Sequence, residues 1–187
     1  MAGIAHATGE ARGAGNSGLI LVMQKITTFL WFDDNAEEAV KFYTSIFKNS
    51  KIGKISYCTG AVAKHAGRPA GSVLTIAFKL NGEEFIALNG GAQHKFTDAI
   101  SLMVHCDTQA ELDRYWKKLT SGGGKEIACG WLQDKYGLTW QIVPHFLMEL
   151  IRDEDSAKVD RVMQAVLNSV KFDFKKLKAA AKSNPKG

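Results

Sequence analysis

The sequence predicts an α+β fold of two tandem βαβββ modules followed by a C-terminal helical segment, and three observations carry that prediction. Residues 27–47, TTFLWFDDNAEEAVKFYTSIF, are echoed at an offset of 73 by residues 100–120, ISLMVHCDTQAELDRYWKKLT. Asp34 then falls on Asp107, Glu38 on Glu111, Phe42-Tyr43 on Tyr115-Trp116 and Ile46 on Leu119. Each copy passes from an apolar run through a short acidic turn into apolar residues spaced three and four apart. Asn81-Gly82, between two further apolar runs, marks a tight hairpin. A repeat of this length holds a whole supersecondary unit, and two such units imply pseudo-twofold symmetry with a cleft where they meet.

The elements follow in order. Lys25 to Phe32 reads as an apolar strand, ended by Asp33-Asp34-Asn35, where Asp34 or Asn35 can cap the next helix by accepting free backbone N–H groups. Along that helix Ala36, Ala39, Val40, Tyr43 and Phe47 form one core-facing stripe, while Glu37 and Lys41 make an i, i+4 pair for the wet face. Lys51 to Thr59 is a strand and residues 60–71 a loop. The runs Ser72 to Leu80 and Glu83 to Leu88 flank Asn81-Gly82, whose residues tolerate positive φ. The second copy supplies a strand over Ala99 to Cys106, a helix over Gln109 to Thr120, a Gly122-Gly123-Gly124 turn, a strand near Ile127 to Trp131, and a last strand over Thr139 to Val143. Beyond it Val159, Val162, Met163, Val166, Leu167 and Val170 recur at helical spacing, a stripe that must cover this chain's own sheet or a partner's.

The expected organisation is an extension over residues 1–22, with Met23 an alternative start, one domain over residues 23–150 with modules near 25–90 and 99–144, and the helical segment over 151–187. With 45% hydrophobic and 10% aromatic residues the chain can bury a core. The apolar run Gly18 to Met23 is far short of a membrane span, and the extension lacks the basic start of a secretory signal. Three cysteines, Cys58, Cys106 and Cys129, with no Cys-x-x-Cys pair, fit a reducing, cytoplasmic setting. The net charge of +5 resides in the tail, where Lys171, Lys175, Lys176, Lys178, Lys182 and Lys186 outweigh Asp173. No alternation of basic and aromatic residues accompanies it, so neither a nucleic acid nor a membrane is expected as a partner.

The segments Phe29-Leu30-Trp31-Phe32, Asn35-Ala36-Glu37-Glu38-Ala39, Phe42-Tyr43, Ala87-Leu88-Asn89-Gly90-Gly91, Ala99-Ile100-Ser101-Leu102, Asp113-Arg114-Tyr115-Trp116, Cys129-Gly130-Trp131-Leu132-Gln133-Asp134 and Gly137-Leu138-Thr139-Trp140-Gln141-Ile142-Val143-Pro144 resemble the PhnB-like branch of the vicinal oxygen chelate superfamily. That superfamily includes glyoxalase I, extradiol dioxygenases and bleomycin-resistance proteins. The resemblance runs from about residue 25 to about residue 180. It implies a glyoxalase-like curved sheet whose concave face is a ligand cup, and a homodimer. Members of this branch often carry the label 3-demethylubiquinone-9 3-methyltransferase. The sequence shows no Gly-rich strand-to-helix loop to cradle S-adenosylmethionine, and Gly122-Gly123-Gly124-Lys125 lacks the residues of a phosphate loop.

Metal-dependent relatives take ligands from the first and last strands of each module, as His, Gln or Glu. Those positions fall here on Thr28, Ser101, Ile86 and Gln141, and one neutral amide does not hold a divalent ion. No metal and no cofactor are therefore expected. His105 and Cys106 are neighbours on a strand and point to opposite faces, which rules them out as a nucleophile and base pair. Asp134 can serve as an acid or base, or simply form the turn before the last strand.

Strand alternation and the resemblance together assign the cup lining to Thr28, Leu30, Phe32, Ile86, Leu88, Ser101, Met103, His105, Thr139 and Gln141, with Val143 on the same face. Such a surface, mostly apolar with a few hydroxyls and an amide, suits a small, partly apolar molecule. The expected function is metal-free binding of such a ligand. The alternative is a glyoxalase- or dioxygenase-type metal-dependent enzyme with ligands elsewhere.

Overall fold

The computed structural model describes residues 26–182. The expected extension, Met23 and the start of the first strand at Lys25 lie outside them. The first module runs β1 (Thr28–Phe32), α1 (Ala36–Ile46), β2 (Lys51–Tyr57), α2 (Gly60–Ala66), β3 (Val73–Leu80) and β4 (Glu83–Asn89). The second runs β5 (Leu102–Cys106), α3 (Gln109–Leu119), β6 (Lys125–Glu126), β7 (Trp131–Gln133) and β8 (Thr139–Pro144). Helices α4 (Leu147–Leu150), α5 (Ser156–Leu167) and α6 (Phe174–Lys182) complete the chain.

Each module forms its own four-stranded sheet, in the order β1-β4-β3-β2 and β5-β8-β7-β6, with only β1–β4 and β5–β8 parallel. The crossover helix makes the parallel pairing, because a hairpin can join only antiparallel strands. Asn81 (φ 50°) and Gly82 (φ 91°) both adopt positive φ in the β3–β4 turn, as the two-residue signal requires.

The helices lie on facing sides of the two sheets and meet between them. Tyr43 and Phe47 at the end of α1 pack on Trp140 of β8, and Phe47 stacks on Tyr115 of α3 at 5.0 Å. Ala36, Ala39, Val40, Leu112, Leu119 and Ile142 are fully buried there.

Four local expectations are corrected. Residues 60–71 hold helix α2, started by Thr59, whose Oγ1 accepts from the Val62 N–H, and ended by Gly67 in the left-handed region. Of the strand expected near Ile127 to Trp131 only Trp131 lies in a strand, at the start of β7; the rest is the turn from β6, because Cys129 (φ 60°) and Gly130 (φ 79°) reverse the chain. Asn35 occupies the α1 N-cap but its side chain makes no capping bond; the free Ala36 N–H donates to Asn89 Oδ1 at 2.9 Å. Glu37 accepts from Asn89 Nδ2 at 2.8 Å, where an ion pair with Lys41 was expected.

The C-terminal segment covers its own second module. Val162 and Val166 are buried, Gln109 bonds both Phe172 and Phe174 of the backbone, and the Phe172 ring lies where a Cβ on Gly130 would stand 2.3 Å away. Of the rest of the stripe, Val159 and Met163 are half-buried and Leu167 and Val170 stay exposed.

Candidate functional site

Strand register decides which side chains share a surface, since partners on adjacent strands point to the same face. In the second sheet Met103 pairs with Gln141 and His105 with Val143, while Leu102, Val104 and Cys106 pair with Trp140, Ile142 and Pro144. Trp140 and Ile142 are buried with Leu112, Tyr115, Trp116 and Leu119 of α3, so Ser101, Met103, His105, Thr139, Gln141 and Val143 occupy the face turned away from that helix. There Gln141 Nε2 donates to Ser101 Oγ at 2.7 Å. Met103 and His105 are exposed. Thr139 is closed off, fully buried with its hydroxyl donating to Asp98 at 2.7 Å.

The first sheet differs from the expectation. Leu30 pairs with Ala87 and Phe32 with Asn89, and Leu30 (5% exposed) and Phe32 (3% exposed) are buried in the core shared with α1. Thr28, paired with Phe85, lies on that same face. Ile86 and Leu88 pair instead with Phe29 and Trp31, on the face away from α1. Thr28, Leu30 and Phe32 therefore do not share a surface with Ile86 and Leu88.

The cause is one residue. Helices α1 and α3 repeat at an offset of 73, but strands β1 and β5 repeat at 74, because the first strand-to-helix turn has three residues, Asp33 to Asn35, and the second has two, Asp107 and Thr108. A one-residue slip moves every side chain of a strand to its other face. The counterpart of Ser101 is Thr27, and those of Met103 and His105 are Phe29 and Trp31. Sequence reasoning missed Phe29 and Trp31; the unequal lengths of the two acidic turns were the signal that could have found them.

A crevice of 290 Å³ lies on the outer face of the first sheet, bordered by Thr27, Gly53, Ala77 and Ile86. A larger one, 460 Å³, runs along the β5 edge between Ser101, Met103 and His105 and the β3–β4 turn. A third, 350 Å³, sits where the end of β1 and residues 94–96 meet the β7–β8 turn.

The donors do not fit a divalent metal. On the outer face the corresponding positions are Thr27, Ser101, Ile86 and Gln141, of which only the Gln141 amide is a usual metal ligand, and one neutral amide does not hold a divalent ion. Among the described residues no three His, Cys, Asp or Glu side chains gather at metal-binding distance. The His105 and His145 rings lie 5.6 Å apart, with His145 Nδ1 3.3 Å from Asp107.

Asp134 joins the two modules. Its Oδ2 accepts from Tyr43 Oη and Trp140 Nε1, both at 2.8 Å, and its Oδ1 accepts from the backbone N–H groups of Tyr136 and Leu138. Burial pushes its carboxyl above the ordinary range and the four donors pull it back only in part. Burial likewise pushes the Cys106 thiol up to about 12, with Glu111 and Asp107 adding to the shift, so this cysteine is an inert part of the core.

A family model described as 3-demethylubiquinone-9 3-methyltransferase matches residues 24–143. Among solved structures, a PhnB protein from Bacillus cereus carrying the same methyltransferase description is 39% identical, with a TM-score of 0.57 over 65% of this chain and 99% of that chain. A protein from Pseudomonas aeruginosa is 16% identical, with a TM-score of 0.50 over 64% of this chain and 96% of its own, a likeness of fold. No curated protein matches the chain. No helix among the described residues is long and apolar enough to cross a membrane.

Proposed function

Because the chain belongs to the PhnB-like, 3-demethylubiquinone-9 3-methyltransferase family of the vicinal oxygen chelate superfamily, we propose that it binds a small, partly apolar molecule on its outer sheet faces, without a metal, as a homodimer. The observation that carries this reading is the Gln141–Ser101 hydrogen bond on a face that otherwise presents Met103 and His105. A pair of neutral polar groups among apolar neighbours orients a ligand by one or two hydrogen bonds, and apolar area supplies the rest. Methyl transfer forms no part of the reading, since no strand-to-helix turn among the described residues is the Gly-rich loop of a cofactor cradle.

What the chain leaves uncovered supports the homodimer. Phe29 (53% exposed) and Met103 (42% exposed) stand on the two outer faces, and β1 and β5 are sheet edges. An exposed apolar edge strand is a template for pairing with another chain. A second copy would bring an outer face of each kind together and close a cup. Sedimentation should give a dimer that Met103→Glu weakens; a concentration-independent monomer would reject it.

The other reading for this fold is a metal-dependent isomerase, lyase or dioxygenase with its ligands elsewhere. Elemental analysis of untreated protein, with native mass spectrometry of whatever copurifies, separates the two. We expect a bound organic mass and no stoichiometric divalent ion. Near one Ni, Fe, Mn or Zn per chain, lost in a His105 or Gln141 variant, would establish the enzyme instead.

A further inference from the structure

The crevice at the end of β1 shares no residue with the Ser101–Gln141 surface, and its walls are largely aromatic. Trp31, His94, Phe96 and Tyr136 border it. Trp31 is held in place: its Nε1 donates to the Gly91 carbonyl at 2.8 Å, and its ring lies over Gly90, where a Cβ would stand 2.3 Å from Cε2. His94 meets the same ring edge-on at 4.7 Å. Phe96 and Tyr136 are both braced edge-on against the buried Phe32. A pinned indole and two braced rings bordering one crevice offer flat surface at little cost in ordering.

The polar groups on this rim are unspent. Asn35 stands at the α1 N-cap, where its side chain would normally bond a backbone N–H, but Asn89 reaches in from β4 and takes that bond. The Asn35 amide is thereby free for another partner. The Gln133 amide on the opposite side and the Asp33 carboxylate also make no side-chain bond within the chain, and Lys95 adds a cation. Each amide offers a donor and an acceptor side by side, the pattern that reads the edge of a heterocycle.

We propose that this crevice is a second ligand site, taking a planar heteroaromatic molecule of nucleobase size. The ring stacks among Trp31, Phe96 and Tyr136, and its donor and acceptor edges meet Asn35 and Gln133. The volume of 350 Å³ admits such a ring with a small substituent.

The test uses the full chain, adenine as probe, and cyclohexylamine as a saturated ring of similar width. In two-dimensional NMR the Trp31 Nε1–H and Gly91 N–H signals should shift saturably with adenine and stay still with cyclohexylamine. Asn35→Ala and Gln133→Ala should each weaken adenine binding about fivefold, the loss of one neutral hydrogen bond, with unchanged thermal stability because Asn89 still caps α1. Gln141→Ala should leave adenine binding intact, which keeps this site distinct from the Ser101–Gln141 surface. Static Trp31 signals, equal shifts with cyclohexylamine, or affinity unaltered in both amide variants would overturn the proposal.

Discussion

Tyr43 Oη donates to Asp134 Oδ2 at 2.8 Å across 91 positions of sequence, and so ties the helix of the first module to the hairpin of the second. The bond is buried and sets how the modules meet.

Replacing Tyr43 with Phe removes one donor from a buried carboxylate and should cost about 2 kcal/mol, the usual worth of a hydrogen bond to a charged group. Urea unfolding measures it. A loss indistinguishable from zero would mean that the two modules do not depend on this bond.

The Asp134 carboxyl should titrate above the ordinary carboxylate range, and Asp113, hydrogen-bonded by Lys171, below it. Carbon NMR of the two groups reads both directions. Because the folded value of Asp134 lies above its unfolded value, its ionisation opposes folding. That penalty is absent below the unfolded value and grows as pH rises toward the folded one. In Tyr43→Phe, with one fewer donor to the charged form, Asp134 should shift further up.

Asn89→Ala removes the cap of α1 and the bonds to Glu37 and Val73 together. A cost of about 2 kcal/mol is expected, larger than for an exposed cap because the site is buried. Asn35→Ala, at the nominal cap, should cost far less. Equal losses in a thermal melt would place the capping role back on Asn35.

Gly90→Ala sets a methyl group against the Trp31 ring. Overpacking of this kind costs about 1–3 kcal/mol. Displacement of the indole should also break its bond to Gly91, seen as loss of the downfield Trp31 Nε1–H signal. A variant that keeps that signal would show that the ring is not held by this approach.

Gln141→Ala and Ser101→Ala should each weaken binding of a ligand on the outer face by about 1 kcal/mol and leave metal content unchanged. Isothermal titration with the copurifying molecule checks the first, and plasma emission the second. A metal that disappears with Gln141 would reverse the functional reading.

The α+β class, the duplication, the Asn81-Gly82 hairpin and the core stripe of α1 were legible in the sequence, because each rests on spacing within a few residues. Helix α2 and the left-handed turn at Cys129 and Gly130 were not, because short segments carry weak periodicity and a non-glycine at positive φ leaves no mark. The site was half legible. Alternation put Ser101, Met103, His105 and Gln141 on one face, yet placed Leu30 and Phe32 with Ile86 and Leu88, from which the register separates them. Alternation states only that neighbours oppose each other. Which face is inward depends on the pairing partner and on the covering helix, and a single extra residue before α1 reverses the answer. The cap supplied by Asn89, the knot at Asp134 and the free amide of Asn35 are likewise products of long-range packing. They join residues 53 and 91 positions apart, where local propensity carries no information.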